Sequence, residues 1–475
     1  MNVAIHRVFI AVIVLFALLF AFTARWTVFQ AADLRNNTLN KLPLLREQQV
    51  PRGPIFADRA SPVLARSVRR GRGDNRYYER RYPTGRLFAH PIGYASVQYS
   101  RSGLERFYDD QLAGRKEEVR TVLDQLLSRQ PEGETLVTEL NPAAQLAAKN
   151  GLAGRLGAVV VIEPSTGRIP VYYSEPQFDP RLLRSVAGYQ SLIDDPRSPL
   201  FDRVAQSSYP PGSTFKIVTA TAAIDSGKFQ PTSVVNGDSP KQISGTPLAN
   251  SGSRSWGDIP LTTALTNSVN TVWAQVGEEI GPRTMFEYMN RYGFNRKPPI
   301  DLPADQLVSS GVKRGSKLLG PGDGADIGRV AIGQEQLSVT PLQMASVAAT
   351  VANGGVRVAP RLARLFTDAD GRVVSVVKPD RVQRVMAPST AAKLTQMMRR
   401  VVEEGTGQAA SLGSISSAGK TGTAEVRGGN QAWFIGFAPA DHPRYAIAVT
   451  VQKTTGYGGT VAAPIAKQVF EALLR

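Results

Sequence analysis

The chain has 475 residues, 42% of them hydrophobic and 8% aromatic, with a formal charge of +17, no cysteine and 3 histidines. That length exceeds one ordinary core and allows about two or three domains, and the apolar content excludes wholesale disorder. Without thiols there is no disulfide or thiolate metal site, and His6, His90 and His442 stand too far apart to suggest a metal cluster, so no metal or cofactor is expected.

From Val8 to Ala24, seventeen residues run without a charge. As a helix they span about 25 Å, and with Trp26–Phe29 the segment is long enough to cross a bilayer. The alternative is a cleaved signal peptide, but Phe22 occupies the place where cleavage wants a small residue, so an uncleaved anchor is expected. The N-terminal amine and Arg7 on one side nearly balance Arg25 and Arg35 on the other. The short tail ahead of the span favours an inside N-terminus, with the rest of the chain outside the cytoplasm.

Residues 30–50 read as a polar stalk. Between Arg66 and Arg86, eight arginines face only Asp74 and Glu79. A solvated basic face is the plain reading, then attraction to anionic lipid heads or polyanionic wall material. No helix-turn-helix, zinc or RNA-sheet signature accompanies the run, so no nucleic acid partner is expected. Helices are predicted over Gly103–Gly114, over Lys116–Arg129 and over Asn141–Lys149, the last opened by Asn-Pro as N-cap and N1.

At Gly157 the pattern changes. A-V-V-V-I-E-P, a turn at Ser165-Thr166-Gly167 and I-P-V-Y-Y-S predict an apolar β-hairpin, with Pro170 marking an edge or bulge in its second strand. A mainly helical stretch follows from about Ser213 to about Glu403, including Leu261–Val276, Pro341–Ala352 and Thr390–Glu403. A-W-F-I-G-F-A-P, a loop at Asp441-His442-Pro443 and Y-A-I-A-V-T-V-Q predict a second hairpin, and Ala462–Arg475 closes as an amphipathic helix. Strands outside and helices inside imply an α+β fold, an antiparallel sheet with a helical subdomain inserted in sequence. The expected division is 1–29 for tail and anchor, 30–150 for stalk and pedestal, and 151–475 for the main domain.

The sharpest local feature is Tyr209-Pro-Pro-Gly-Ser-Thr-Phe-Lys216, in which a turn ends and an apolar helix begins. Ser213 then lies near a helix N-terminus, with Lys216 one turn later on the same face. Capping is the commoner job for such a serine, and a lone S-x-x-K is weak. Ser310-Gly-Val-Lys313, in a predicted loop, and Ser375-Val-Val-Lys378, in a strand-like segment, match it by chance. Company separates Ser213: Ser268-Val-Asn270 and then Lys420-Thr-Gly-Thr423 follow in order.

S-x-x-K, S-x-N and K-T-G in that order resemble the signature of penicillin-binding proteins and serine β-lactamases. Arg52-Gly-Pro-Ile-Phe-Ala-Asp-Arg59, Gly103-Leu-Glu105, Gly333-Gln334, Thr340-Pro341-Leu-Gln-Met344, Ala352-Asn-Gly-Gly355 and Trp433-Phe-Ile-Gly-Phe437 resemble class B penicillin-binding proteins in particular, so the likeness covers nearly the whole chain. Asp202, where asparagine is common, is a modest departure. The resemblance implies a single-pass protein of the bacterial cell membrane, a penicillin-binding transpeptidase domain on a pedestal, and cross-linking of peptidoglycan stem peptides through an acyl-enzyme that β-lactams also form. Within it, Ser213 is the nucleophile, Lys216 its base, Ser268 a proton relay and Asn270 an orienting amide. Lys420 with Thr421, Gly422 and Thr423 would hold the substrate carboxylate, and backbone N–H groups of Ser213 and Thr423 would form the oxyanion hole. The base role demands that burial and the charge of Lys420 push the Lys216 pKa down.

Other readings fit less well. Gly413 and Gly419-Lys420-Thr421 miss P-loop spacing by one residue, and no G-x-S-x-G is present. No Glu-x-x-x-Asn follows Asn270, which disfavours a class A β-lactamase. A D,D-carboxypeptidase and a non-catalytic wall scaffold or β-lactam sensor remain as alternatives. The pedestal carries no glycosyltransferase motif, so glycan polymerisation is expected from a polytopic membrane glycosyltransferase of the elongation or division machinery.

Overall fold

The computed structural model describes residues 2–25, 48–73, 76–115, 132–379 and 381–475. The chain forms two units, Met1–Pro51 with Val68–Glu79, and Arg52–Ser67 with Arg80–Arg475. In the first, α1 (Asn2–Ala24) is one helix, and its stretch Ile5–Ala24 is long and apolar enough to cross a membrane, starting three residues ahead of the predicted Val8. Trp26–Phe29, most of the stalk and the helix predicted over Lys116–Arg129 lie outside the described residues. In the basic run Arg66, Arg69, Arg70, Arg72, Arg76 and Arg86 are exposed, and Arg70 pairs with Glu79 at 3.0 Å.

The pedestal is built on β1 (Ile55–Phe56), β2 (Val63–Arg70), β3 (Tyr77–Arg81) and β4 (Thr135–Thr138). Its anchor is Glu105, fully buried, which accepts from Arg80 Nε at 2.6 Å and Arg52 Nη2 at 3.0 Å. Burial alone would push this carboxyl up, but the two guanidinium groups outweigh it and hold it below the ordinary carboxylate range. The helix predicted over Gly103–Gly114 is two short helices, Gly103–Phe107 and Asp109–Leu112. Tyr108 steps out of helical geometry between them, and its hydroxyl donates to buried Asp301.

After β4 comes α2 (Pro142–Leu152), where Asn141 caps Ala144 N at 3.0 Å with proline at N1, as read from Asn-Pro. The first hairpin follows as β5 (Gly157–Ile162) and β6 (Val171–Glu175). Pro170 stands just ahead of β6 rather than within it, and β6 is an edge strand. Then come α3 (Lys216–Asp225), α4 (Leu261–Thr266), α5 (Asn270–Arg291, kinked at Gly281-Pro282) and α6 (Pro341–Ala352). Strands β7 (Ala363–Thr367) and β8 (Val373–Val376) return to the pedestal sheet, whose order is β8-β7-β4-β1-β2-β3. After α7 (Pro388–Glu403), the strands β9 (Ala418–Val426), β10 (Gly429–Ala438) and β11 (Tyr445–Thr454) complete a five-stranded sheet of order β9-β10-β11-β5-β6, antiparallel at every pairing. The chain closes on α8 (Ala463–Leu474).

Strand periodicity divides the core. Val159 and Val161 pack with Ile447, Val449, α2 and α8, while Ala158, Val160 and Ile162 face the helical subdomain with Ala446, Ala448 and α6. Side chains two apart share a face, so one sheet carries a helical layer on each side, and β9 is left at its edge beside the helical subdomain.

Candidate active site

The turn that carries Ser213 is fixed by backbone contact that only glycine permits. Gly212 has φ +53°, and a Cβ there would meet Thr423 O at 2.6 Å. Gly422 is the counterpart on β9, where a Cβ would lie 2.7 Å from Pro211 O and 3.0 Å from Thr214 N. Gly333 backs the turn, its carbonyl accepting from Gly212 N at 3.0 Å, and Trp433 Nε1 donates to Pro210 O at 3.0 Å. The motif residues Gly333 and Trp433 therefore hold the turn against β9. Residues Gly212–Phe215 form a 3-10 turn leading into α3, with Ser213 partly exposed and Lys216 wholly buried.

Sequence reading carries one helix through Leu261–Val276, but the chain breaks between α4 and α5. Ser268 sits in the gap at φ +60°, a left-handed conformation that ends the helix and turns its hydroxyl toward two amines. Lys216 Nζ donates to Ser268 O at 2.7 Å, to Ser268 Oγ at 3.3 Å and to Asn270 Oδ1 at 2.7 Å. From the other side Lys420 Nζ donates to Ser268 Oγ at 2.9 Å and to Thr421 O at 2.9 Å. Lys216, Ser268, Asn270 and Lys420 thus meet across α3, the α4–α5 break and β9, with Ser213 one turn ahead of Lys216 in the 3-10 turn.

Both amines are fully buried, and neither has a carboxylate partner among the described residues. Burial first, and then the like charge of Lys420, drive the Lys216 pKa far below the usual lysine range. Burial alone pushes Lys420 down to about 7. Near neutral pH the pair therefore holds fewer than two protons. A neutral Lys216 keeps its two hydrogens on the 2.7 Å acceptors and offers a lone pair to a hydroxyl proton. Ser213 Oγ makes no hydrogen bond to the described residues, Lys216 Nζ included.

Period two sends Lys420 and Gly422 to one side of β9 and Thr421 and Thr423 to the other. Thr421 shares its hydroxyl with Thr406 at 2.6 Å, and Thr423 Oγ1 accepts from Gly458 N at 3.0 Å, which leaves the Thr423 proton free to donate. Sequence reading missed Thr406 and Gly458, and no local pattern marks either. The chance matches lie elsewhere: Ser310 is buried against Thr340 N at 3.0 Å, and Gly311–Arg314 is a strand where a loop was expected. Ser375 lies in β8, as its strand-like pattern suggested. A buried lysine of lowered pKa one turn after a serine, with a second serine bridging two amines, is the equipment that acyl transfer through a covalent serine ester uses.

Residues 157–471 match the penicillin binding protein transpeptidase domain, and residues 52–136 the penicillin binding protein A dimerisation domain. The chain belongs to the penicillin-binding protein transpeptidase family. Peptidoglycan D,D-transpeptidase PbpA of Mycolicibacterium smegmatis is 35% identical over 100% of this chain and 99% of that protein. The penicillin G acyl-enzyme complex of penicillin-binding protein A from M. tuberculosis superposes with a TM-score of 0.80 at 33% identity, covering 90% of this chain and 100% of that one. Pseudomonas aeruginosa PBP2 in complex with WCK 5153 gives 0.76 at 30% identity over 90% and 96%. The transpeptidase domain on a dimerisation-type pedestal is the class B arrangement that the sequence motifs resemble.

Proposed function

We propose that this chain is a peptidoglycan D,D-transpeptidase that cross-links stem peptides through an acyl-enzyme on Ser213 and is acylated there by β-lactams. The observation that carries the reading is the buried Lys216 amine, held by Ser268 and Asn270 with Lys420 on the far side of the Ser268 hydroxyl. Ser213 Oγ attacks the carbonyl of the penultimate D-alanine as neutral Lys216 takes its proton. The oxyanion forms against the N–H groups of Ser213 and Thr423. The proton then passes from Lys216 through Ser268 to the departing D-alanine amine as the C–N bond breaks. An acceptor amine reverses these transfers and leaves as the new cross-link. Lys420, Thr421 and Thr423 hold the terminal carboxylate, whose charge favours the protonated form of Lys420.

In this reading residues 1–29 are the tail and anchor, 30–150 the stalk and pedestal joined by β7 and β8, and 151–475 the catalytic domain. α1 spans the cytoplasmic membrane once and leaves the catalytic domain outside. The glycan strands come from a polytopic glycosyltransferase, since nothing in the pedestal sequence suggests polymerase chemistry. Intact-mass analysis after penicillin treatment is expected to show one adduct mapping to Ser213. Ser213→Ala abolishes it, and Lys216→Ala slows its formation by about 10²–10⁴-fold, the usual worth of a positioned base. With a D-Ala-D-Ala peptide and an acceptor amine, cross-linked product supports the transpeptidase, release of D-alanine without it indicates a carboxypeptidase, and no adduct at all leaves the scaffold.

A further inference from the structure

Asn270 has to present its oxygen, not its nitrogen, to Lys216, and nothing within the S-x-N segment enforces that choice. The amide is held at its other end, where Asn270 Nδ2 donates to Ala249 O at 3.3 Å. A carbonyl accepts and cannot donate, so that contact fixes which way the amide faces. Ala249 lies in the segment between the short strands Thr246–Leu248 and Asp258–Pro260, outside every motif in sequence and itself exposed. The next residue, Asn250, is only 5% exposed and fills its entire hydrogen-bonding capacity. Its Nδ2 donates to Gly237 O and Arg254 O, both at 2.9 Å, and its Oδ1 accepts from Thr271 N at 2.9 Å and Thr271 Oγ1 at 3.2 Å. Its own N–H donates to Ser239 Oγ at 3.0 Å. One side chain therefore ties the segments at Gly237 and Arg254 to the first turn of α5, with Asn270 and Thr271 on one side of the tie and Ala249 on the other.

We propose that Asn250 is a positioning residue for catalysis, clamping the Ala249 carbonyl against Asn270 so that the Asn270 oxygen stays on the Lys216 amine. The proposal rests on the assignment of Lys216 as the base for Ser213. Oδ1 of Asn270 binds the ammonium form more strongly than the amine, so a loosened clamp has a defined signature. The Lys216 pKa falls further, and the geometry of proton transfer degrades.

The experiment is the second-order rate of Ser213 acylation by penicillin across pH in the full chain in detergent, for wild type, Asn250→Ala and Ser239→Ala. Asn250→Ala is expected to lower the plateau by about tenfold and to move the acid limb to lower pH. Ser239→Ala, a milder loosening of the same segment, is expected to move both in the same direction by less, and it keeps the test open if Asn250→Ala does not fold. A folded variant whose plateau drops with no movement of the acid limb, or whose whole profile matches wild type, overturns the clamp. Absence of a penicillin adduct in wild type overturns the underlying assignment instead, so the two failures are distinguishable.

Discussion

Two interior lysines without a carboxylate partner among the described residues make the site costly to keep, and the cost depends on pH. A lysine whose folded pKa lies below its unfolded value takes up a proton on unfolding, so stability rises with pH between the two values. For Lys420 that window runs from about 7 up to the ordinary 10.5. Below it both states are protonated and the penalty is complete, and above it both are neutral and the penalty is gone. Chemical denaturation of wild type is therefore expected to show a midpoint that rises from pH 7 to 10, and Lys420→Met to flatten part of that rise. A wild-type midpoint that falls over this window would contradict the burial of both amines. Lys216 acts in the same direction, its pKa being depressed by burial and by Lys420.

At the scale of elements, catalysis is assembled where regular structure stops. The 3-10 turn before α3, the break between α4 and α5 and the edge strand β9 each present a group that an unbroken element would hide. Ser268 illustrates the compromise, since its left-handed backbone costs roughly 1–2 kcal/mol relative to a right-handed residue. Ser268→Gly removes that strain and the hydroxyl together, while Ser268→Ala removes only the hydroxyl. Thermal unfolding is expected to place Ser268→Gly about 1 kcal/mol above Ser268→Ala, whereas penicillin acylation should be slowed in both by a comparable factor. Acylation restored by glycine would mean that the backbone shape, and not the bridging hydroxyl, is what the reaction uses. Helix boundaries show how far local pattern reaches: Pro341–Ala352 and the Asn141 cap follow directly from sequence, because proline at N1 and a capping side chain act within one turn. The break at Ser268 was not legible, because Leu261–Val276 reads as one helix and the partners that hold the break open come from residues 216 and 420.

Across the whole molecule, buried ion pairs tie together distant segments of a chain that has no cysteine. Glu105 joins Arg52 and Arg80, 53 and 25 residues away, in a dry cluster. Breaking such a pair from one side leaves uncompensated buried charge, so Glu105→Gln is expected to cost about 3–5 kcal/mol by denaturant titration. The sign with pH is the opposite of the lysines'. The Glu105 carboxyl is held low in the folded state, so its contribution is present above the ordinary value of 4.5 and is lost as pH falls through the folded pKa. The acid limb of the wild-type stability profile should therefore be steeper than that of Glu105→Gln.

Sequence by itself determined the apolar span near the N-terminus, the α+β order of elements and the residue types of the site, because hydrophobic period, caps and three short motifs are local and survive without coordinates. It also supplied the direction of the Lys216 shift, since a base role beside Lys420 demands it. Only the tertiary structure decided that β7 and β8 return to the pedestal sheet, that Ser268 sits in a helix break between two amines, and that Thr406, Gly458 and Asn250 set the orientation of groups the motifs name. Those contacts join residues tens to hundreds of positions apart through single hydrogen bonds, and a hydrogen bond between distant segments leaves no period, spacing or composition for a sequence to display.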